Sequence, residues 1–393
     1  MKAVTWHGTR DIRVEEVPDP VIEQPTDAII KVTSSGLCGS DLHLYEPLSP
    51  FMTPGDVVGH EPMGIVEEVG SEVSNLAVGD RVVIPFQIAC GHCFMCERQL
   101  YTQCETTQVR EYGSGAALFG YSKLYGSVPG GQAEYLRVPQ AQFGPIKVPQ
   151  GPADDRFLFL SDVAPTAWQA VAYADVPEGG TLAVMGLGPI GLMSVRIARH
   201  LGLRVIAVDQ VPERLARGQA AGAETIDLSA VDDVAEEIRS LTAGRGADSV
   251  VDAVGMEAHG SPVAELSQKA LGLLPRKVSA ALMQRVGVDR AAALLTSLDA
   301  VRRGGTVSLS GVYGGMTQPL PLMEMFDKQL QLRMGQANVK RWIDDLMPLA
   351  VDDADPLGLE SFASHHVSLD DAPKAYADFQ GKVDGTFKVV FRP

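Results

Sequence analysis

Up to about residue 158, apolar positions fall in short β-branched runs punctuated by Gly and Pro. Ala28–Thr33, Gly64–Val69, Arg81–Ile84 and Glu134–Val138 predict strands, and Asn75–Asp80 predicts a chain reversal ahead of Arg81. No long helical period separates these runs, which predicts a small, largely antiparallel barrel or sandwich. The pattern then changes. Apolar runs of strand length at Thr181–Met185, Arg204–Val208, Thr225–Leu228, Asp248–Val254 and Thr306–Ser310 alternate with helical periods such as Leu192–His200 and Val234–Leu241. That alternation predicts a doubly wound parallel sheet.

About fifty residues separate Val254 from Thr306, where one crossover helix would suffice. Pro262–Leu274 and Lys277–Arg302 read as amphipathic helices of an insertion, about 256–302. It could be surface decoration, a subunit contact or a flap over bound cofactor. Lys328–Gln336 reads as a strand leaving the sheet, Arg341–Val351 as a helix and Asp384–Phe391 as a strand returning to the N-terminal part. The expected organisation is α/β, with residues 1–158 and 334–393 forming one domain and residues 159–333 the other.

A chain of 393 residues is long enough for two cores. Its net charge of −16 argues against nucleic acid or an anionic membrane surface as partner. No apolar run approaches the ~18 residues that a membrane-spanning helix needs. Cysteines are few, and four of the five fall within one window that reads as a metal cluster, which predicts a protein of a reducing, cytoplasmic compartment.

That window is Cys90-Gly-His-Cys93-Phe-Met-Cys96, followed by Cys104. Two-residue gaps let successive thiolates turn onto one small cation, and four sulfurs leave no coordination position for water, so the spacing predicts a closed structural zinc site. Cys38, in Gly36-Leu-Cys38-Gly-Ser40-Asp-Leu-His43, is left over, and His60 stands in Gly59-His60-Glu61-Pro62. Both motifs read as loops. A thiolate and an imidazole could begin an open zinc site. Taken singly, such a cysteine is more often a small buried hydrophobe and such a histidine more often a hydrogen-bonded loop residue, and a third ligand is not evident.

Gly186-Leu-Gly188-Pro189-Ile190-Gly191 lies between a strand and a helix, as a dinucleotide fingerprint does. Gly186 would permit the tight turn, Gly188 the approach of the pyrophosphate and Gly191 the packing of helix on strand. Asp209 ends the next strand, 23 positions after Gly186, where a carboxylate meets the adenosine ribose and repels a 2′-phosphate, so NAD is favoured over NADP. Arg214 could hold such a phosphate but reads as a helix-surface residue. Val254 and Gly311, Val312 and Tyr313 follow strands, where the carboxyl edge of such a sheet meets its ligand, and Gly335 and Gln336 complete the cofactor candidates.

With these residues in place, the chain resembles the zinc-containing medium-chain alcohol dehydrogenases over essentially its whole length. Within them it is most similar to the glutathione-independent formaldehyde dehydrogenase branch. The resemblance is carried by Cys38-Gly-Ser-Asp41, Pro85-Phe-Gln-Ile-Ala-Cys-Gly91, Gly130-Gly-Gln-Ala-Glu-Tyr135, Ser161-Asp162-Val-Ala-Pro-Thr166, Val251-Asp-Ala-Val-Gly255 and Ser368-Leu-Asp-Asp-Ala-Pro373.

The resemblance implies a GroES-like β-barrel catalytic domain plus a Rossmann domain, two zinc ions per chain, and NAD. It implies Asp162 as the third ligand beside Cys38 and His60, with Glu61 behind the metal or transiently replacing water. Ser40 would touch the substrate hydroxyl and His43 would pass its proton toward solvent. Phe86 and Trp168 would line the substrate pocket, and the chain would be a homodimer or homotetramer. The implied reaction is hydride transfer between an alcohol, or a hydrated aldehyde such as formaldehyde, and NAD. The competing readings are a polyol or sugar dehydrogenase, and a dehydrogenase fold kept only to bind cofactor.

Overall fold

The computed structural model describes residues 1–46, 48–255, 291–313 and 320–393. They form two compact units, Met1–Pro165 with Ala337–Pro393 and Thr166–Gln336. The junctions fall slightly C-terminal of the expected 158/159 and 333/334, and the first lies inside a helix, Val163–Ala174.

In chain order the strands begin with β1 (Lys2–Gly8), β2 (Asp11–Glu16), β3 (Ala28–Leu37), β4 (Asp56–Val57), β5 (Glu61–Val69), β6 (Arg81–Val83), β7 (Tyr135–Val138) and β8 (Ile146–Lys147). They continue with β9 (Thr181–Met185), β10 (Arg204–Asp209), β11 (Glu224–Asp227), β12 (Ala247–Asp252), β13 (Val301–Leu309) and β14 (Gln331–Met334). The last are β15 (His365–Ser368) and β16 (Val389–Arg392).

The first unit holds a sheet of order β15-β16-β3-β5-β6-β8, with β7 also on β3, and a smaller sheet β2-β1-β4. Apart from β15 against β16, all these pairs are antiparallel. Strand β3 is the organiser. Ile30 and Val32 point into a core with Val66, Val82, Ile84 and Leu136, while its far end brings Leu37 opposite Val389, and Gly36 opposite both Val390 and Glu61. The C-terminal strand therefore returns beside the segment that leads into Cys38.

The second unit is a six-stranded, all-parallel sheet of order β11-β10-β9-β12-β13-β14. The order reverses between β9 and β12, and ligands of such sheets bind outside the carboxyl ends at that reversal. Its core joins Ala183, Ile206, Val208, Val250 and Val307 to Ile238, Leu294 and Leu298 from the covering helices.

Four expectations change. The Cys38 motif is not a loop: Cys38 caps a helix, Gly39–Tyr45, and Glu61 already belongs to β5. Residues 328–336 do not leave the sheet, because Gln331–Met334 pairs with β13 as its edge strand. The helix expected at Arg341 begins as a 3-10 turn, Val339–Trp342, and turns regular at Ile343–Val351. The end of the expected insertion is ordinary core: Ala292–Ala300 is a helix that buries Leu294 and Leu298, and β13 starts at Val301, five residues early. The pairing slips within that early start, since Ala247 pairs with Val301 but Ser249 with Thr306. The remaining insertion, 256–290, and the flap idea attached to it lie outside the described residues.

Candidate active site and metal centres

Three short segments of the first unit converge. Cys38 directly follows β3 in extended conformation (φ −106°, ψ 156°) and caps the next helix. The Asp41 carboxylate accepts the Cys38 backbone N–H at 2.9 Å, so the cap fixes the direction of the thiol. His60 lies between Gly59, at φ +98°, and β5. A Cβ on Gly59 would lie 2.3 Å from Cγ of Gln132, so only glycine admits that turn. Asp162 ends a 3-10 turn, Phe159–Ser161.

Cys38 Sγ lies 3.5 Å from Asp162 Oδ2, and His60 Nε2 lies 3.4 Å from that same oxygen. Bonds of about 2.3 Å to sulfur and about 2.0 Å to nitrogen and oxygen, opened to the tetrahedral angle, imply edges of about 3.5 and 3.3 Å. Observed and implied edges agree, so these residues fit a zinc-sized cation. Ligand atoms of Cys38, His60, Asp162 and Glu61 all lie within 4.8 Å of one another. Burial pushes the Cys38 thiol up to about 11, and the Asp162 and Glu61 carboxylates add to the effect. Burial pushes His60 down, but Asp41 and Asp162 outweigh it and hold its protonated form well above the usual range. Asp41 Oδ1 stands 3.0 Å from His60 Nδ1, the arrangement that leaves Nε2 facing Asp162.

Ser40 Oγ is 3.2 Å from His60 Nε2 and donates to Cys38 Sγ at 3.4 Å. His43, three residues on, shares that helix face and is buried. Phe86 presents its ring edge-on to His60, with centroids 6.4 Å apart. Tyr121 does the same at 6.3 Å, an aromatic neighbour the sequence reading missed. Trp168 belongs to the other unit, half-buried in the helix Val163–Ala174.

The four clustered cysteines form their own group. Cys93 and Cys104 sulfurs are 3.9 Å apart, and those of Cys90 and Cys96 are 4.0 Å apart. Four sulfurs at about 2.3 Å from one centre stand about 3.8 Å from each other. The group therefore fits zinc as a closed tetrahedron, and no disulfide competes, since all five cysteines are free. Backbone N–H groups of Cys90 and Glu105 donate to Cys104 Sγ and Cys93 Sγ at 3.4 and 3.3 Å. Such donors favour thiolate: against desolvation, the amides of Cys96 and Glu105 bring Cys93 down to about 6.

In the second unit, Gly186 takes φ +85° after β9, and a Cβ on Gly191 would lie 1.8 Å from the Gly186 carbonyl oxygen. Turn and close helix packing therefore both require glycine. Gly188 precedes the helix Pro189–His200, whose first residues are Pro189, Ile190 and Gly191. Asp209 is more occupied than expected: Oδ2 accepts Leu187 N–H at 2.7 Å, and Oδ1 accepts those of Gln210 and Val211 at 2.8 and 2.9 Å. Its carboxylate has about four lone-pair sites, which leaves about one for a ribose.

Arg214 is not a surface residue. Its guanidinium is half-buried, 3.9 Å from Asp209 Oδ2, on the fingerprint side of its helix and 3.8 Å from where a Gly188 Cβ would stand. Val254 packs its side chain against Gly186. Gly311 approaches Gly255, and Val312 is exposed. Tyr313 donates to Asp252 at 2.5 Å. Asp252, fully buried, also accepts the amides of Val254 and Gly255. Gly335 and Gln336 offer their carbonyls to Gln169 at 3.1 Å each.

Sequence reading missed Lys388, Asp252, Gln132 and the bridging role of Asp41. Asp41 carried a signal in the capping spacing Cys38-x-x-Asp41, and Gln132 and Asp252 stand inside motifs of the resemblance, whereas Lys388 carried none.

The family model for an alcohol dehydrogenase GroES-like domain matches residues 24–150, and that for a zinc-binding dehydrogenase matches 189–270. An uncharacterized zinc-type alcohol dehydrogenase-like protein of Bacillus subtilis is 41% identical over the full length of both chains. A formaldehyde dismutase of Pseudomonas putida is 34% identical across 96% of this chain and 94% of its own. Among solved structures, an alcohol dehydrogenase from Thermus sp. ATN1 superposes with a TM-score of 0.83 at 34% identity, covering 100% of this chain and 99% of the other. This chain belongs to the zinc-type alcohol dehydrogenase family.

Proposed function

We propose that the chain oxidises small primary alcohols and hydrated aldehydes of the formaldehyde type with NAD, at a zinc held by Cys38, His60 and Asp162. The observation that carries this reading is the tetrahedral spacing of thiolate, imidazole and carboxylate, with Ser40 within hydrogen-bond distance of two of them. Zinc bound there supplies a Lewis acid that makes an alcohol hydroxyl acidic near neutral pH, and bound NAD supplies the hydride acceptor. Ser40 orients that hydroxyl and takes its proton, and His43 receives the proton from Ser40 and passes it outward. Phe86, whose ring stands against His60, supplies an apolar wall beside the ligands. Glu61 stays behind the ligands, and the four-cysteine lobe holds a structural zinc.

NAD is favoured over NADP because Asp209 puts a negative charge at the end of β10, although Arg214 offsets part of it. A formaldehyde-type substrate is supported by the carboxylate ligand and by full-length similarity to the dismutase. If NAD is retained between turnovers, the same groups would dismutate aldehyde.

Self-association into a homodimer or homotetramer is supported by the edge strand β14 and by Leu322, Met323 and Phe326, which are 67%, 79% and 81% exposed. No helix among the described residues is long and apolar enough to cross a membrane. Free cysteines and the acidic charge support a cytoplasmic protein acting on small molecules and not on nucleic acid.

A panel of short alcohols, aldehydes and polyols, each with NAD or NADP, tests the reading. Turnover of methanol-to-butanol alcohols or formaldehyde with NAD is expected. Preference for polyols would move the chain to the sugar-alcohol branch, and no turnover with any of them would leave only cofactor binding.

A further inference from the structure

A buried lysine immediately before β16 bonds the residues next to two of the proposed catalytic ligands. Lys388 and Glu61 are each wholly buried. Lys388 Nζ donates to Glu61 Oε1 at 2.7 Å, to Glu61 Oε2 at 2.6 Å and to the Leu37 carbonyl oxygen at 3.0 Å. These three bonds use all three ammonium donors. Leu37 immediately precedes Cys38, and Glu61 immediately follows His60. One side chain thus ties together the residues adjoining two ligands that lie on different strands.

The seat is built for this pair. Gly36, Glu61 and Val390 are register partners across β5, β3 and β16, and a Cβ on Gly36 would lie 2.1 Å from Glu61 Oε2. Only glycine leaves room for the carboxylate there. The ring of Phe159, three residues before Asp162, lies 6.0 Å from the ammonium.

Glu61 is nevertheless close enough to be a ligand itself, since its carboxylate oxygen is within 4.8 Å of the donor atoms of Cys38, His60 and Asp162. A dication held by one thiolate and one carboxylate is already balanced in charge, and an additional free carboxylate at that distance would compete with substrate for the open position. We propose that Lys388 is a positioning residue that ties the carboxylate of Glu61, on β5, to the Leu37 carbonyl at the end of β3 and so keeps the fourth coordination position open for substrate. The proposal rests on the metal-site reading above.

The test uses enzyme with cobalt(II) exchanged into the catalytic site and zinc left in the cysteine lobe, titrated with imidazole as an exogenous ligand. Wild type is expected to show a strong visible band that shifts with imidazole. Lys388→Met frees Glu61, so its band should weaken and stop responding, its zinc should pass to a chelator about tenfold more slowly, and kcat/KM should fall about 10- to 100-fold. The double variant Glu61→Gln, Lys388→Met has no carboxylate to bind and should recover the imidazole response. If Lys388→Met is insoluble, Lys388→Gln carries the same comparison.

A wild-type imidazole response in the lysine variant overturns the proposal, as does a lost response that the double variant fails to restore. A wild-type enzyme with no imidazole-responsive band overturns the ligand assignment beneath it, which separates the two failures.

Discussion

Asp41 divides its carboxylate between two neighbours: Oδ2 accepts the Cys38 amide at 2.9 Å, while Oδ1 stands 3.0 Å from His60 Nδ1. One residue therefore aims the first proposed ligand by capping a helix and the second by fixing an imidazole. Gln132 extends the network, bonding Asp41 Oδ2 at 3.5 Å and accepting the Tyr376 hydroxyl at 2.8 Å. Losing a carboxylate partner of a ligating histidine costs about 10- to 100-fold in metal affinity. Asp41→Ala should show a loss of that size in chelator competition, with kcat falling alongside. Unchanged zinc affinity would mean that Asp41 serves the helix alone.

Cys104 is fully buried in the cysteine lobe, where its sulfur accepts the Cys90 amide. Cys104→Ser should bind one zinc fewer and lower Tm by about 5 °C or more, because closure of such a site contributes directly to folding. An equally stable, fully active variant containing one zinc would contradict a structural role.

The fold was largely legible in the sequence because its signals are local: β-branched runs, a strand–glycine–helix unit and two-residue cysteine gaps all declare themselves over a few positions. The buried arrangements were not. Lys388 meets Glu61 across 327 residues, and Arg214 reads as a helix-surface residue until its helix is seen to face Asp209. The strand at Gln331–Met334 was recognisable, but its place in the sheet depends on pairing with β13. Asp162 became a ligand candidate only through family resemblance, because nothing in Ser161-Asp162-Val163 distinguishes it from a helix cap.

Asp209 anchors the fingerprint loop through Leu187 and faces Arg214. Asp209→Ser should lower kcat/KM for NAD about tenfold or more and raise it for NADP, since the arginine then meets a 2′-phosphate without an opposing charge. Steady-state kinetics with both cofactors measures this, and an unchanged ratio would remove Asp209 from cofactor choice.

Asp154 supplies a pH-dependent part of stability. Burial would raise its pKa, but hydrogen bonds from Thr33, Arg81 and Ser34 outweigh burial and hold it below the usual carboxylate value. Arg81 reaches it at 2.5 Å and Ser34 at 2.9 Å. A depressed carboxylate stabilises the fold above its unfolded pKa of about 3.9, and that contribution is lost as pH falls through the folded value. Asp154→Asn should cost about 2 kcal/mol at pH 7, with the difference from wild type shrinking below about pH 4. Urea denaturation across that range checks it, and a pH-independent difference would exclude the linkage.

The central claim, an open zinc site made by Cys38, His60 and Asp162 beside a closed one, is tested most directly by counting metal. Purified wild type should contain two zinc ions per chain. Asp162→Ala should keep its circular dichroism spectrum and one zinc, the one in the cysteine lobe, and lose activity. Two tightly held zinc ions per chain in Asp162→Ala would contradict the assignment.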